Sequence, residues 1–178
     1  MSGTPEYGLL YERGELTCTA FADANFGDSS PDQKCTSGIM LFIGKNLVEW
    51  QSSKQSMVAL STCEAEITAI VEGAKSVVYI CDILADLRLE ISRPVLFNDN
   101  QSAEVTVNSG GKYKRTKHYL RRFAFVRDLI NKKKLSVEYR STENMLADML
   151  TKPLPVVQLR KLIKMSNIGN VIEGECWK

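Results

Sequence analysis

The run LSTCEAEITAIVEGAKSVVYICDILADLRL, from Leu60 to Leu89, constrains the fold more than any other stretch of the chain. Ile67, Ile70, Val71, Ala74, Val77, Val78, Cys81 and Leu84 recur three and four positions apart, which predicts one long amphipathic helix capped by Ser61 or Thr62. Before it the pattern is strand-like. ELTCTAFAD predicts a strand from about Leu16 to Ala22, and TSGIMLFIGKNLVEWQS predicts two more, roughly 37–43 and 47–52, joined by a Gly-Lys-Asn turn. After it strands and helices alternate. VLFN follows Pro94 as a short buried strand, Asn100 to about Val107 is a short helix, and NSGGKYKR is a turn-rich loop. TKHYLRRFAFVRDLI is helical through Tyr119, Phe123, Val126 and Ile130, and KLSVEYR is a strand. TENMLADML is a short helix capped by Ser141 or Thr142, and a last amphipathic helix spans about Val156 to Met165. Alternation of this kind implies parallel pairing in the second half beside an antiparallel first half. The expected fold class is mixed α/β: a five-stranded mixed sheet, three strands antiparallel and then parallel ones, flanked by helices.

The chain's 178 residues suit one domain with a real core. No apolar run approaches the roughly 18 to 20 residues of a membrane span, and MSGTPEYGLLYERG lacks the basic-then-apolar pattern of a signal segment. Cys18, Cys35, Cys63, Cys81 and Cys176 are odd in number and form no CxxC pair, which suits reduced thiols rather than a disulfide scaffold or zinc site. A single histidine argues against His-based metal sites. The net charge of +2 hides an uneven distribution. From Lys112 to Lys134 ten basic residues and one acid give +9, leaving −7 on the remainder, the footprint of a protein that meets a polyanion. The competing reading of that segment is a solvated helix face.

Four acids stand where a core would not ask for them. Asp23 ends the first strand, in FADAN, and Asp99 ends the fourth, in VLFND. Taken alone, Asp99 is a good helix N-cap. If the first and fourth strands are neighbours, however, the two carboxylates sit within a few Å and need a cation or a raised pKa to coexist. Glu66 shares the helix face of Ile70, Gly73 and Val77, whereas Glu64 is the better candidate for solvent. Gly73 in mid-helix suggests close packing. Asp148 lies on the apolar side of its short helix. Hard oxygen ligands without Cys or His suit magnesium or manganese, and four carboxylates around two such ions suit in-line phosphoryl displacement.

TPEYGLLY, FADANFGD, CTSGIMLFIG, VEWQSSKQSMVALSTCEAE, NDNQSA, RTKHY and VEYRSTENMLADMLTKPLP together resemble the ribonuclease H domain of copia-type LTR retrotransposon Pol polyproteins, from about Gly3 to Ile168. The resemblance implies a ribonuclease H-like fold. It implies a two-metal endonuclease that cuts the RNA strand of RNA–DNA hybrids, with Mg2+ (or Mn2+) on Asp23, Glu66, Asp99 and Asp148. It also implies that residues 1–15 are a linker from a preceding reverse transcriptase, 16–152 the ribonuclease H domain, and 153–178 a C-terminal helix and polar tail. The partners implied are an RNA–DNA hybrid and the reverse transcriptase of the same polyprotein, with no membrane; the setting implied is a cytoplasmic virus-like particle.

Hybrids are read through shape, 2′-hydroxyls and phosphates. Thr62 and Gln101 resemble the family's minor-groove contacts, and Arg115, Lys117, His118, Arg121 and Arg122 would meet phosphates. His118 also suits a capping role. The chain departs from the family's pattern at Asn25, Phe26, Leu120 and Ala124, none of them an expected metal ligand, and YRSTEN lacks the His that cellular ribonucleases H carry there. Trp50 is expected in the core. Two other readings stay open: a catalytically silent nucleic-acid-binding module of the same fold, and an integrase- or resolvase-type nuclease. The second places its Glu after both Asp residues, whereas Glu66 lies between Asp23 and Asp99.

Overall fold

β2 (Cys18–Asn25) is the axis of the molecule, because it pairs differently on its two edges. In this computed structural model, which describes residues 6–26, 33–109 and 117–170 (without side chains for 117–122), β2 is antiparallel to β3 (Thr36–Ile43) over its whole length. On the other edge it is parallel to β5 (Val95–Asn98), and that pairing stops at Phe21↔Phe97. β4 (Asn46–Lys54) and β6 (Ser136–Tyr139) complete a five-stranded sheet in the order β4-β3-β2-β5-β6. Past Phe21 that edge of β2 has no backbone partner in β5, which leaves a crevice in the ladder at the strand ends. Ligands in open α/β sheets collect outside the carboxyl ends of parallel strands.

The helices that force this arrangement follow from local sequence. α1 (Thr62–Asp86) starts at Ser61, whose hydroxyl accepts the Glu64 N–H at 3.2 Å. Glu64, expected to face solvent, turns its carboxylate back onto the Leu60 N–H at 2.5 Å. Gly73 lets α1 press on the sheet: a Cβ there would lie 3.0 Å from Leu96 Cδ1 and 3.3 Å from Ala22 Cβ. α2 (Gln101–Ser109) and α3 (Lys117–Asn131) share that face, with Val107, Phe123 and Val126 in the same core as Ile70 and Leu96. Cys18 and Cys35 are buried and Cys63 and Cys81 half-buried, none of the four in a disulfide; Cys176 lies outside the described residues.

The opposite face carries a second core, in which Phe21, Met40, Phe42 and Leu47 of the sheet meet Met145, Leu146, Ala147 and Leu162. Leu162 comes from α4 (Val156–Met165). TENMLADML is not the single helix expected. It forms two 3-10 segments, Thr142–Asn144 and Leu146–Leu150, broken at Met145, whose extended backbone (φ −82°, ψ 99°) accompanies a fully buried side chain. Ser141 makes no side-chain cap bond. Trp50, expected in the core, is 56 % exposed on edge strand β4, because the 3-10 layer covers β2 and β3 and leaves the Trp50 position of β4 open. β1 (Tyr7–Leu9), within the stretch expected to be a linker, pairs antiparallel with β7 (Ile168–Asn170) in a two-stranded ribbon.

Gly38, opposite Asp23 in the β2–β3 register, is where the 3-10 layer comes closest. A Cβ there would lie 2.7 Å from Thr151 Cγ2, 2.8 Å from the Ala147 carbonyl oxygen and 3.0 Å from Leu150 Cβ. Backbone cannot yield as a flexible side chain does, so Gly38→Ala is expected to destabilise the fold by roughly 1–3 kcal/mol. Urea unfolding of the variant checks this, and a loss under about 0.5 kcal/mol would contradict the close packing.

Candidate metal centre

Alternation along β2 and β5 sends Phe21 and Asp23, and Phe97 and Asp99, to the face of the 3-10 layer. Asp148 comes down from that layer. Carboxylate oxygens of Asp23, Asp99 and Asp148 all lie within 4.8 Å of one another. Asp23 and Asp148 are each about 1 % exposed, and Asp99 is half-buried. Asp99 is not a helix cap. That role belongs to Asn100, whose side-chain oxygen accepts the Ala103 N–H at 2.9 Å, while Asp99 accepts the Thr142 hydroxyl at 2.7 Å.

Glu66 adjoins the three aspartates without joining them. Its Oε2 accepts the Ala24 N–H at 3.2 Å and Asn98 Nδ2 at 2.8 Å. Asn98, fully buried, also donates to the Ala22 carbonyl at 2.8 Å and accepts the Asn100 N–H at 3.0 Å. It thus closes the gap where the β2–β5 ladder ends. Asp23 accepts the Thr151 hydroxyl, and Lys152 Nζ stands 3.0 Å from Asp148 Oδ1 and 3.7 Å from Asp23 Oδ2. Asn98, Thr142, Thr151 and Lys152 were not singled out from the sequence. The available signals were a polar residue inside an apolar strand, which must find partners, and a Lys four positions after Asp148.

Removal from water dominates the electrostatics. Burial, then the charge of Asp23, pushes Glu66 up to about 9 against the Asn98 hydrogen bond. Burial and Asp23 likewise push Asp148 up to about 7. Asp23 is raised chiefly by burial, opposed by the Thr151 hydroxyl and Lys152. Burial alone would lower Lys152, but Asp23 and Asp148 outweigh it and hold the ammonium protonated. Asp23, Glu66 and Asp148, whose ionisation burial hinders, offer hard oxygen donors beside Asp99 and fit a divalent cation of the magnesium class. One buried oxygen, Asp148 Oδ1, has no hydrogen bond of good geometry and faces only the Lys152 ion pair. The aspartate triad could hold metal ions. Among the expected nucleic-acid contacts, Thr62 and Gln101 are exposed on the opening residues of α1 and α2. Lys117, His118, Arg121 and Arg122 fall on the first turns of α3, and Arg115 lies outside the described residues.

A mixed sheet in this order, with three carboxylates at the carboxyl ends of its neighbouring parallel strands β2 and β5, defines a ribonuclease H-like fold with an acidic site. Among solved structures it is similar to LC11-RNase H1, isolated from compost by a metagenomic approach (TM-score 0.58, 17 % identity, 76 % of this chain and 93 % of that one). The same enzyme in complex with an RNA/DNA hybrid gives a TM-score of 0.57 at 15 % identity over 76 % of this chain and 94 % of that one. No family model matches. In sequence the chain is 31 % identical over 173 residues to the retrovirus-related Pol polyprotein from transposon RE2 of Arabidopsis thaliana, and 26 % identical over 168 residues to the transposon Ty1-DR5 Gag-Pol polyprotein of Saccharomyces cerevisiae. These alignments take in 96 % and 91 % of the chain but only 12 % and 10 % of the relatives. The chain is a homologue, over most of its length, of a segment of the copia/Ty1-type retrotransposon Pol polyproteins, with the ribonuclease H fold. No helix among the described residues is long and apolar enough to cross a membrane.

The raised acids give the metal-free protein a pH dependence of known sign. Folded Glu66 and Asp148 keep protons that the unfolded chain releases near pH 4, so their contribution to stability is complete below that and is lost as pH rises through about 7 and 9. In chelator the melting temperature is expected to fall as pH rises from about 4 to 9, and Asp148→Asn to remove the part of the decline that is complete by about 7. Parallel pH profiles of the two proteins would contradict a raised Asp148.

Proposed function

We propose that the chain is a ribonuclease H: an endonuclease that hydrolyses the RNA strand of RNA–DNA hybrids, using Asp23, Glu66, Asp99 and Asp148 to hold two magnesium ions, or manganese in their place. The observation that carries this reading is the convergence of Asp23, Asp99 and Asp148 within 4.8 Å at the carboxyl ends of the parallel strands β2 and β5. Bound there, the ions would supply the charge that activates a water and offsets the leaving oxygen of an in-line displacement. Asp23 and Asp148, buried and packed from opposite sides, give fixed ligand positions, and Asp99 stands at the open side of the crevice. Glu66, with one oxygen committed to Ala24 and Asn98, has the other for a cation.

The hybrid would lie across the opening residues of α1 and α2, where Thr62 and Gln101 suit contacts in the minor groove. Arg115, Lys117, His118, Arg121 and Arg122 would follow phosphates. The hybrid bound by LC11-RNase H1 supports this class of substrate. The Pol polyprotein relatives support a place in reverse transcription, beside a reverse transcriptase in the same polyprotein and inside a cytoplasmic particle. In that setting residues 1–15 are a connection to the preceding domain and 16–152 the nuclease.

A labelled hybrid is expected to be cut in magnesium or manganese and not in calcium, whose looser coordination does not hold water and phosphate in line. Asp99→Asn and Asp148→Asn should each lower the rate about a hundredfold or more while the far-ultraviolet spectrum stays native. Cleavage in chelator, or equal rates on the hybrid, single-stranded RNA and duplex DNA, would sink the reading.

The basic segment should contribute affinity rather than chemistry. Neutralising Arg115, Lys117, Arg121 and Arg122 together is expected to flatten the salt dependence of hybrid binding by about 0.9 unit of slope for each phosphate no longer neutralised. Turnover at saturating hybrid should change little. An unchanged slope would return the run to a solvated helix face.

A further inference from the structure

We propose that Lys152 is the resident counter-ion of the metal-free site, its ammonium standing in for a divalent ion between Asp23 and Asp148, so that metal binding has to displace it. The inference rests on the metal-site reading above and adds a residue that the four-acid set does not contain. Its geometric basis is the reach of the side chain: Nζ lies 3.0 Å from Asp148 Oδ1 and 3.7 Å from Asp23 Oδ2, two oxygens that belong to the buried pair. The placement is set by the backbone. Both the Thr151 and Lys152 N–H groups donate to the Asp148 carbonyl at 3.3 Å, so the chain turns tightly after Asp148 and carries Lys152 back over its carboxylate. Thr151 donates its hydroxyl to the same oxygen of Asp23, Oδ2, that the ammonium approaches.

An ammonium at that position offsets the repulsion between the two buried carboxylates. Two carboxylates each about 1 % exposed repel in a medium of low dielectric, and only a cation or a shared proton relieves them. Lys152 is suited to leave as well as to stay. About a third of its side chain is exposed, and its flexible stem ends in a point charge rather than the rigid fork of an arginine. A divalent ion on Asp23 and Asp148 would meet this like charge within a few Å, so the two cations exclude one another and the ammonium is the one free to swing to solvent.

The test is metal affinity, not turnover. Binding of Mn2+ to the chelator-stripped protein, followed by the resonance signal of free Mn2+, should be tighter in Lys152→Met by about tenfold, because nothing has to be displaced. Lys152→Arg, which keeps the charge, should remain near wild type. In chelator Lys152→Met should melt below wild type, and saturating Mn2+ should raise its melting temperature by more than that of wild type. Lys152→Gln serves the same comparison if the Met variant does not fold. Affinity for Mn2+ that is unchanged or weaker in the neutral variants overturns the role of Lys152 and leaves the metal site standing. Absence of Mn2+ binding in every protein overturns both.

Discussion

Asn98 holds together the three elements on which the crevice depends. Where the backbone ladder between β2 and β5 ends, its amide continues the pairing by donating to the Ala22 carbonyl and to Glu66, and its oxygen takes the Asn100 N–H. One side chain therefore ties the central strand, the long helix and the start of α2. An apolar residue of similar size would fill the space but take the amide donor from the Ala22 carbonyl and the acceptor from the Asn100 N–H, and leave Glu66 Oε2 with the Ala24 N–H alone, at a cost of about 1–3 kcal/mol for each buried group left unpaired. The break in the β2–β5 ladder is thus a built feature of the sheet rather than a frayed end, and Asp23 and Asp99 stand beside it with carboxylate oxygens within 4.8 Å.

The same crevice concentrates negative charge that the fold does not neutralise by itself. Glu66 and Asp148 are raised because burial removes water faster than the neighbouring donors replace it. Of the cations near enough to matter, Lys152 reaches the buried pair, while Arg140 is taken up elsewhere, stacked 4.4 Å from the centre of the Phe97 ring and 6.0 Å from that of Phe21. The aromatic pair beneath the carboxylates thus has its own cation, and among the described residues Lys152 is the cation paired with Asp23 and Asp148.

Much of this was legible in the residues themselves. Period-2 and period-3.6 patterns are strong over eight or more residues, so the hairpin, α1 and the order of elements follow from sequence, and so do the acids at the strand ends. The single-helix reading of TENMLADML failed because burial of Met145 overrides the local helical pattern, and nothing within nine residues announces that burial. The β1–β7 ribbon joins three residues to three others some 160 positions away, too short for any periodic signal. Trp50 was misplaced because exposure on an edge strand depends on how far the opposite layer extends, which is a tertiary quantity. Asp99 as helix cap was the simplest local answer, and its neighbour Asn100 took that role.

The 3-10 geometry of Leu146–Leu150 is what converts a packed layer into part of the site. Residues three apart eclipse one another in such a turn, whereas in an α-helix they fall about a sixth of a turn short of it. Asp148 and Thr151 are three apart, and both reach Asp23 from above, one with a carboxylate and one with a hydroxyl. That overlap demands close approach to β3, which only a residue without a Cβ at position 38 permits. The glycine opposite Asp23, the tight turn above it and the lysine that the turn folds back are therefore one mechanical unit. A change that loosens the packing at Gly38 should separate Asp148 from Asp23 before it disturbs the sheet, because the register of β2 and β3 runs unbroken past that point.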